Sequence, residues 1–339
     1  MRALRFHGID DLRLEEVPAR DPGPGEVAVR VVACGVCGSD LHFLDGSART
    51  GRVPVTLGHE IAATVEHSRH PDWQPGDAVL VAAGIWCDDC PRCREGRSNL
   101  CRSMQMTGID VDGGLADSVT ITGRALIRRP PAVPERVAAT AVDAGATAYH
   151  AVSRRAAVSP GMSVAIVGAG GLGSFGLQIA KTLGAAPVIV ADRDPRALER
   201  ARELGADEVV LAEPGVSVGR EVKLLSDGGV DAAIEFVGRA ATVDAAVKSI
   251  RPGGVAVAVG VGSEPLTTLP PVLWATQEYE LRGSFGSLPG DAEAVLRWLG
   301  DGTISPPPLA DARLADAADL ILAMARGEAG VGGRLIVIP

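Results

Sequence analysis

Glu26-Val-Ala-Val-Arg-Val-Val32 places apolar side chains at every second position, the period of a strand with one buried face. Gln74-Pro-Gly-Asp-Ala-Val-Leu-Val81 joins turn chemistry to a second such run. Short strands punctuated by Gly and Pro continue to about residue 145, which predicts an irregular β-barrel-like domain with functional loops. From about 160 the rhythm changes. Val164-Ala-Ile-Val167 is apolar on both faces, and a helical stretch runs from about 172 to Gly184, a C-cap glycine. The strand Val188-Ile-Val-Ala-Asp192 follows, then a helix opened by Pro195 and closed by Gly205. Further strands are expected at 208–211, 231–237, 255–261 and 279–284, with helical material between several of them. This alternation predicts an α/β fold with a doubly wound parallel sheet. The last fifty residues hold two helices, near 291–300 and 314–326, and the strand Arg334-Leu-Ile-Val-Ile338.

Composition narrows the class. The 339 residues suffice for two domains, and 46% hydrophobic with 22% charged residues is ordinary for a water-soluble chain. A net charge of -9 repels nucleic acid and anionic membrane, so neither is expected as a partner. The opening stretch MRALRFHGIDDLRLEEV carries acids early and lacks a long apolar core, so it reads as neither signal peptide nor anchor. The expected compartment is the cytoplasm, where clustered cysteines bind metal more often than they form disulfides.

Gly168-Ala-Gly170-Gly171-Leu172-Gly173 directly follows a strand and opens a helix. Among 42 glycines the G-x-G-x-x-G pattern alone is weak, but this context gives it a mechanism. The glycines permit a tight turn and close approach of backbone to a pyrophosphate, which the helix N-terminus attracts. Asp192, ending the second strand, is placed to bind the ribose hydroxyls, and a 2′-phosphate there would meet a like charge. NAD is therefore expected over NADP, with Arg193 the one residue that favours the phosphate. Val237 joins the expected cofactor contacts.

All six cysteines lie between residues 34 and 101. Cys87-x2-Cys90-x2-Cys93-x7-Cys101 brings four thiolates to one tetrahedral ion. The iron–sulfur alternative asks for a shorter last spacing and a following proline, and Cys101 has neither. Zinc in a closed four-sulfur site leaves no open position, so this lobe is expected to be structural.

The segment Gly35-Val-Cys37-Gly-Ser39-Asp40-Leu-His42, then Gly58-His59-Glu60, the four-cysteine lobe and Gly168–Gly173 resemble, in the same order, the zinc-dependent medium-chain alcohol dehydrogenases. The resemblance covers essentially the whole chain. It implies a GroES-like catalytic domain from 1–145 and 286–339, with the structural zinc lobe at 87–101, and a Rossmann NAD-binding domain at 146–285. It also implies a second, catalytic zinc, in a cleft between the domains. Such a zinc needs about three protein ligands and one open position, where an alcohol loses its proton more easily. Cys37 and His59 suit two of the ligand positions. In the family the third is often a cysteine heading a C-A-G-x-T-A-Y-like segment. Here that segment reads Asp143-Ala-Gly-Ala-Thr-Ala-Tyr149, and the resemblance assigns Asp143, as in relatives acting on secondary alcohols or polyols. Glu60 or water is the alternative.

The remaining roles are also carried by resemblance. Ser39 accepts the alcohol proton, or simply caps a helix starting at Asp40; His42, one helical turn on, passes the proton to water. Asp40 orients a zinc-binding histidine, and Glu60 sits behind the metal. Arg334 is expected on the cofactor pyrophosphate, or on the surface. Trp86, Phe43, Ile109 and Phe285 fall near the substrate loops, although large apolar residues are more often core. Cys34 is left spare. The chain is expected to be a homo-dimer or homo-tetramer pairing near 264–284 and acting on a small alcohol or carbonyl. Rivals on the same scaffold are a zinc-free reductase, a non-enzymatic regulator, and an epimerase or dismutase that retains its NAD.

Overall fold

A computed structural model describes residues 1–266 and 269–339. The chain divides into two compact units: Met1–Ala146 with Leu288–Gly302 and Pro306–Pro339, and Thr147–Ser287 with Thr303–Ser305. Two of the residues expected at an oligomer interface, 267 and 268, lie outside the described residues.

The first unit is β-rich. Its strands in chain order are β1 (Arg2–Gly8), β2 (Asp11–Glu16), β3 (Glu26–Val36), β4 (Val55–Thr56), β5 (Glu60–Ser68), β6 (Ala78–Val81), β7 (Gly84–Ile85), β8 (Gln105–Met106), β9 (Ser118–Thr122) and β10 (Leu126–Arg128). The main sheet runs β10-β6-β5-β3 and then takes in two C-terminal strands described below, with β9 also paired to β3. The β3–β5 pairing is antiparallel and sets Gly35 opposite Glu60 and Cys34 opposite Ile61. Register shifts within that pair bend the ribbon as barrel closure requires. Val27, Val29 and Val31 point into one core with Ile61, Val65, Val79 and Leu115, as the alternation in the sequence dictates.

The second unit holds six parallel strands: β11 (Val164–Val167), β12 (Val188–Asp192), β13 (Glu208–Leu211), β14 (Val230–Glu235), β15 (Ile250–Ala258) and β16 (Glu280–Gly283). Their order is β13-β12-β11-β14-β15-β16, which reverses direction beside β11 and opens a ligand crevice at its carboxyl end. Helix Gly171–Thr182 buries Phe175, Leu177 and Ile179. Gly184 beyond its end has φ +87°, the left-handed cap the sequence required. Helix Pro195–Glu203 is capped by Asp194, whose carboxylate accepts the Arg196 amide at 2.9 Å. The strand expected at 231–237 stops at Glu235, because its side chain accepts the Val237 and Gly238 amides and turns the chain. The strand expected at 255–261 begins earlier, at Ile250, and ends at Ala258.

The chain then returns to the first unit. Helix Asp291–Gly300, a second helix Ala317–Ala325, and strands β17 (Leu309–Arg313) and β18 (Arg334–Ile338) complete it. β18 pairs antiparallel with β3, setting Ile336 opposite Gly35, so the C-terminus lies against the strand that leads to Cys37. Among the described residues no helix is long and apolar enough to cross a membrane.

Candidate zinc centres and cofactor turn

The four-cysteine lobe folds by local turns. Cys87 precedes Cys90, the N-cap of the short helix Pro91–Arg94; Cys93 lies on that helix, and Cys101 follows a 3-10 turn. The sulfurs stand 3.6 Å (Cys90–Cys93), 3.5 Å (Cys87–Cys101), 3.9 Å (Cys90–Cys101) and 4.0 Å (Cys87–Cys93) apart. A tetrahedron with metal–sulfur bonds of about 2.3 Å has edges of about 3.8 Å, so the donor set fits zinc. The cysteines are free thiols. The backbone amide of Cys93, ahead of other amide donors, draws the Cys90 thiol down to about 6. Lost hydration and the neighbouring sulfurs push Cys93 up to about 12. One thiolate makes the next costlier in so small a volume, and a divalent cation removes that conflict.

A second cluster gathers around the start of β5. Cys37 immediately follows β3 and is the N-cap of helix Gly38–Leu44. His59 immediately precedes β5 and is buried. Asp143 lies on the π-helical turn Ala141–Gly145, a widened turn of the kind that often marks a functional position. Helix Asp291–Gly300 backs this turn: a Cβ on Gly145 would stand 2.7 Å from Val295.

The ligand atoms converge. Cys37 Sγ is 3.2 Å from Asp143 Oδ2, and His59 Nε2 is 3.5 Å from the same oxygen. Together Cys37, His59 and Asp143 offer one sulfur, one nitrogen and one oxygen, all within 4.8 Å of one another. Tetrahedral bonds of about 2.0–2.3 Å space such donors by about 3.3–3.7 Å. These three donors fit a zinc site with one open position.

Asp40 ties the cluster together. Fully buried, it accepts the Cys37 amide at 2.8 Å and the Gly58 amide at 3.2 Å, and its Oδ1 is 3.8 Å from His59 Nδ1. His59 Nδ1 is buried and has no hydrogen-bond partner, and the Asp40 carboxylate beside it favours the ring orientation that turns Nε2 towards the other donors. Burial works against a charged imidazole, but Asp40, the Asp143 bond and Cys37 outweigh it, and His59 titrates well above its ordinary value. Burial likewise opposes ionisation of Asp143, yet His59, then Arg334 and Cys37, hold its carboxyl below the usual carboxylate range. Without a metal, the cluster thus carries its positive charge on His59, which zinc would replace.

Two positions differ from expectation. Helix Gly38–Leu44 starts two residues ahead of the expected Asp40, so Ser39 is inside its first turn and the capping role belongs to Cys37. Arg334 was expected on the cofactor or at the surface; instead it is only 8% exposed and forms a bidentate pair with fully buried Glu60. Its Nε donates to Glu60 Oε2 at 2.8 Å, Nη2 donates to Oε1, and Nη2 is 4.0 Å from Asp143. The reason is register: β18 pairs Leu335 with Val36 of β3, which brings Arg334 to the end of β3 beside Cys37, and the bare Cα of Gly35 makes room for the Glu60 side chain. Glu60 also accepts the Ala144 amide at 3.3 Å. Burial raises the Glu60 pKa in spite of Arg334, while Glu60 outweighs burial and raises that of Arg334. Sequence reasoning missed this pair because its members are 274 residues apart.

Ser39 is half-buried, its Oγ 3.9 Å from Cys37 Sγ. His42 bonds Ser47 Oγ at 3.0 Å and lies 3.6 Å from Asp45. Cys34 is buried, and burial pushes its thiol well above the ordinary range, which makes it a poor thiol–disulfide partner for Cys37.

In the second unit Gly168 turns out of β11 at φ +95°, and a Cβ there would strike Val237 Cγ2 at 2.6 Å. Gly173 packs directly on the Gly168 carbonyl, where any Cβ would collide. Gly170 caps helix Gly171–Thr182 and has nothing within 4 Å of a would-be Cβ, an open cradle at a helix N-terminus that fits a pyrophosphate. Asp192 ends β12 and accepts the Ala169 amide at 2.6 Å and the Asp194 amide at 2.9 Å; Arg193 is exposed.

Residues 23–131 match the family model of the alcohol dehydrogenase GroES-like domain, and residues 171–301 that of the zinc-binding dehydrogenases. The chain is 34% identical over 306 residues to a sorbitol dehydrogenase of Macaca fascicularis, covering 84% of this chain and 81% of that one. The chain belongs to the zinc-dependent medium-chain alcohol dehydrogenases. An NAD-dependent alcohol dehydrogenase of Sulfurisphaera tokodaii is 30% identical over 351 residues, with both chains covered completely. The solved alcohol dehydrogenase of Thermus sp. ATN1 superposes with a TM-score of 0.90 at 32% identity, covering all of this chain and 99% of the other. This dehydrogenase is accordingly an NAD-dependent oxidoreductase of alcohols with a structural and a catalytic zinc.

Proposed function

We propose that this dehydrogenase interconverts secondary alcohols, of the polyol or cyclic type, and their ketones with NAD. The observation that carries the reading is Asp143, a carboxylate converging with Cys37 and His59 where family members often keep a thiolate. The sorbitol dehydrogenase relative supports the polyol side of it. A carboxylate donates less electron density than a thiolate, which suits a more strongly acidic metal.

Zinc held by Cys37, His59 and Asp143 would supply the Lewis acid that makes a substrate hydroxyl easier to deprotonate. Asp40 keeps His59 Nε2 directed at the site. Ser39, on the first turn of the Gly38–Leu44 helix, takes the hydroxyl proton, and His42, 42% exposed, hands it to water. Bound NAD would supply the hydride acceptor, so that oxidation of the carbinol carbon to a carbonyl is balanced by reduction of the cofactor. Glu60 and Arg334 neutralise each other behind the site, which leaves Cys37 and Asp143 as the two negative charges facing a divalent ion.

On the cofactor side, Gly168, Gly170, Gly171, Leu172 and Gly173 cradle the pyrophosphate and Val237 lines the turn. Asp192 binds the ribose and disfavours a 2′-phosphate. We further propose a cytoplasmic homo-dimer or homo-tetramer, paired through the exposed edge strand β16 and the apolar surface of Leu266, Val272 and Leu273. Initial rates of NAD and NADP reduction on primary, secondary, cyclic and sugar alcohols, with zinc counted beforehand, test the reading. The expected result is two zinc ions per chain, NAD favoured, and secondary alcohols turned over at least about tenfold faster than primary ones. Preference for primary alcohols would overturn the substrate class, and NAD that stays bound through purification would redirect it to an epimerase or dismutase.

A further inference from the structure

We infer that Gly113, which has no side chain to offer the metal, is a positioning residue for the zinc ligand His59. The inference rests on His59 being a ligand of the catalytic zinc. The segment Thr56–Gly58 that delivers His59 is clamped by the loop 108–115. Gly113 donates to the Thr56 carbonyl at 2.8 Å, Leu115 to Leu57 at 2.9 Å and Gly114 to Gly58 at 2.9 Å. Asp112 accepts the Thr56 amide at 2.9 Å, and Asp40 accepts the Gly58 amide at 3.2 Å. The backbones meet so closely that side chains have no room between them. A Cβ on Gly113 would collide with the Gly58 carbonyl oxygen and stand 2.7 Å from both Gly108 Cα and the Leu57 oxygen. A Cβ on Gly108 would stand 2.8–2.9 Å from the oxygen, carbon and nitrogen of Gly58.

The Gly58 carbonyl belongs to the peptide whose nitrogen is that of His59. Whatever displaces it displaces the ligand. Real Cβ atoms do not come within 3.0 Å of such neighbours, so an added methyl at 113 shifts this peptide by about an ångström. Metal-ligand constellations tolerate only about half of that. Gly113 has no left-handed φ, so alanine there is opposed by space alone and not by backbone conformation. Gly114, its neighbour in the same loop, differs in kind: its Cβ would press on the side chain of buried Ile61, closest at Cγ1, and not on the backbone that carries His59.

The test counts zinc in purified wild type, Gly113→Ala, Gly108→Ala, Gly114→Ala, Gly76→Ala and His59→Ala after dialysis against a competing chelator. Cobalt substitution is followed by visible absorption. Gly76 has φ +95° and open space, and controls for the left-handed strain that alanine at Gly108 (φ +74°) also carries. The expected result is about one zinc instead of two in Gly113→Ala, and a weaker loss in the less crowded Gly108→Ala. Gly114→Ala and Gly76→Ala should keep both ions, and the four-sulfur cobalt spectrum should persist throughout. Two tightly held ions in Gly113→Ala, or an equal loss in Gly114→Ala, would overturn the inference. If Gly113→Ala does not fold, Gly108→Ala decides; if neither folds while Gly114→Ala does, these glycines serve the barrel core and the inference fails. His59→Ala separates the two levels: if it retains both ions, the ligand assignment itself falls.

Discussion

Replacing Arg334 by methionine should be among the most destabilising single changes in the first unit, and its cost can be worked out. Glu60 is fully buried and receives two charge-assisted bonds from the guanidinium, leaving the Ala144 amide, 3.3 Å away, when Arg334 is gone. If the carboxylate stays charged, stripping its buried partner costs about 3–5 kcal/mol. If it takes up a proton instead, the price at pH 7, against an unfolded carboxyl titrating near about 4.3, is about 4 kcal/mol. The two routes converge, so Arg334→Met should lose about 4 kcal/mol. Burial already raises the pKa of Glu60, and the substitution raises it further. A carboxyl with a folded pKa above its unfolded one costs nothing below the unfolded value. Its penalty grows with pH until the folded pKa is passed. Urea unfolding of wild type, Arg334→Met, Glu60→Gln and the double variant, with zinc in excess at pH 5 to 8, measures this. The gap between wild type and Arg334→Met should widen as pH rises, and Glu60→Gln should rescue most of it. A loss under about 1 kcal/mol, a gap that ignores pH, or no rescue would refute the account.

Asp143→Ala should leave the four-sulfur zinc in place and remove the other, whereas Asp143→Cys should retain both; zinc content and turnover read the difference, and full occupancy in Asp143→Ala would unseat the ligand. Asp40→Ala removes the carboxylate beside His59 Nδ1 and the acceptor of two amides, so zinc should bind about 10–100-fold more weakly, as chelator competition would reveal. Because His59 titrates well above its ordinary value without metal, zinc uptake at neutral pH should expel its proton and weaken as pH falls. Calorimetry in buffers of different ionisation enthalpy checks this, and binding free of buffer dependence would contradict the charge assignment.

The parts that the sequence revealed are those whose geometry is local. Four cysteines within residues 87–101 close on one ion through a helical turn and a 3-10 turn, so spacing alone carries the chemistry. Gly168 to Gly173 sit on one strand–turn–helix, and Asp192 ends the next strand, so the cofactor turn could be read the same way. Asp143 was reached through resemblance, because nothing in its own neighbourhood marks a ligand. What escaped was the helix start at Gly38, set by the Asp40 bond to the Cys37 amide, and the partner of Arg334.

The sequence by itself determined two folding patterns, the period-two strands of a barrel and the βα alternation of a nucleotide sheet, because buried faces must repeat with the backbone's own period. It also determined which donors were present. Only the tertiary structure decided which of them meet. Cys37 and Asp143 are 106 residues apart, and the 3.2 Å between their side-chain atoms depends on the π-helical turn packing against β5, the strand paired with β3. Glu60 is the alternative third ligand by sequence, and the pairing of β18 with β3 gives it Arg334 as a buried partner. A buried carboxylate takes the nearest fixed countercharge, and position in space, which no spacing along the chain encodes, decides which one that is.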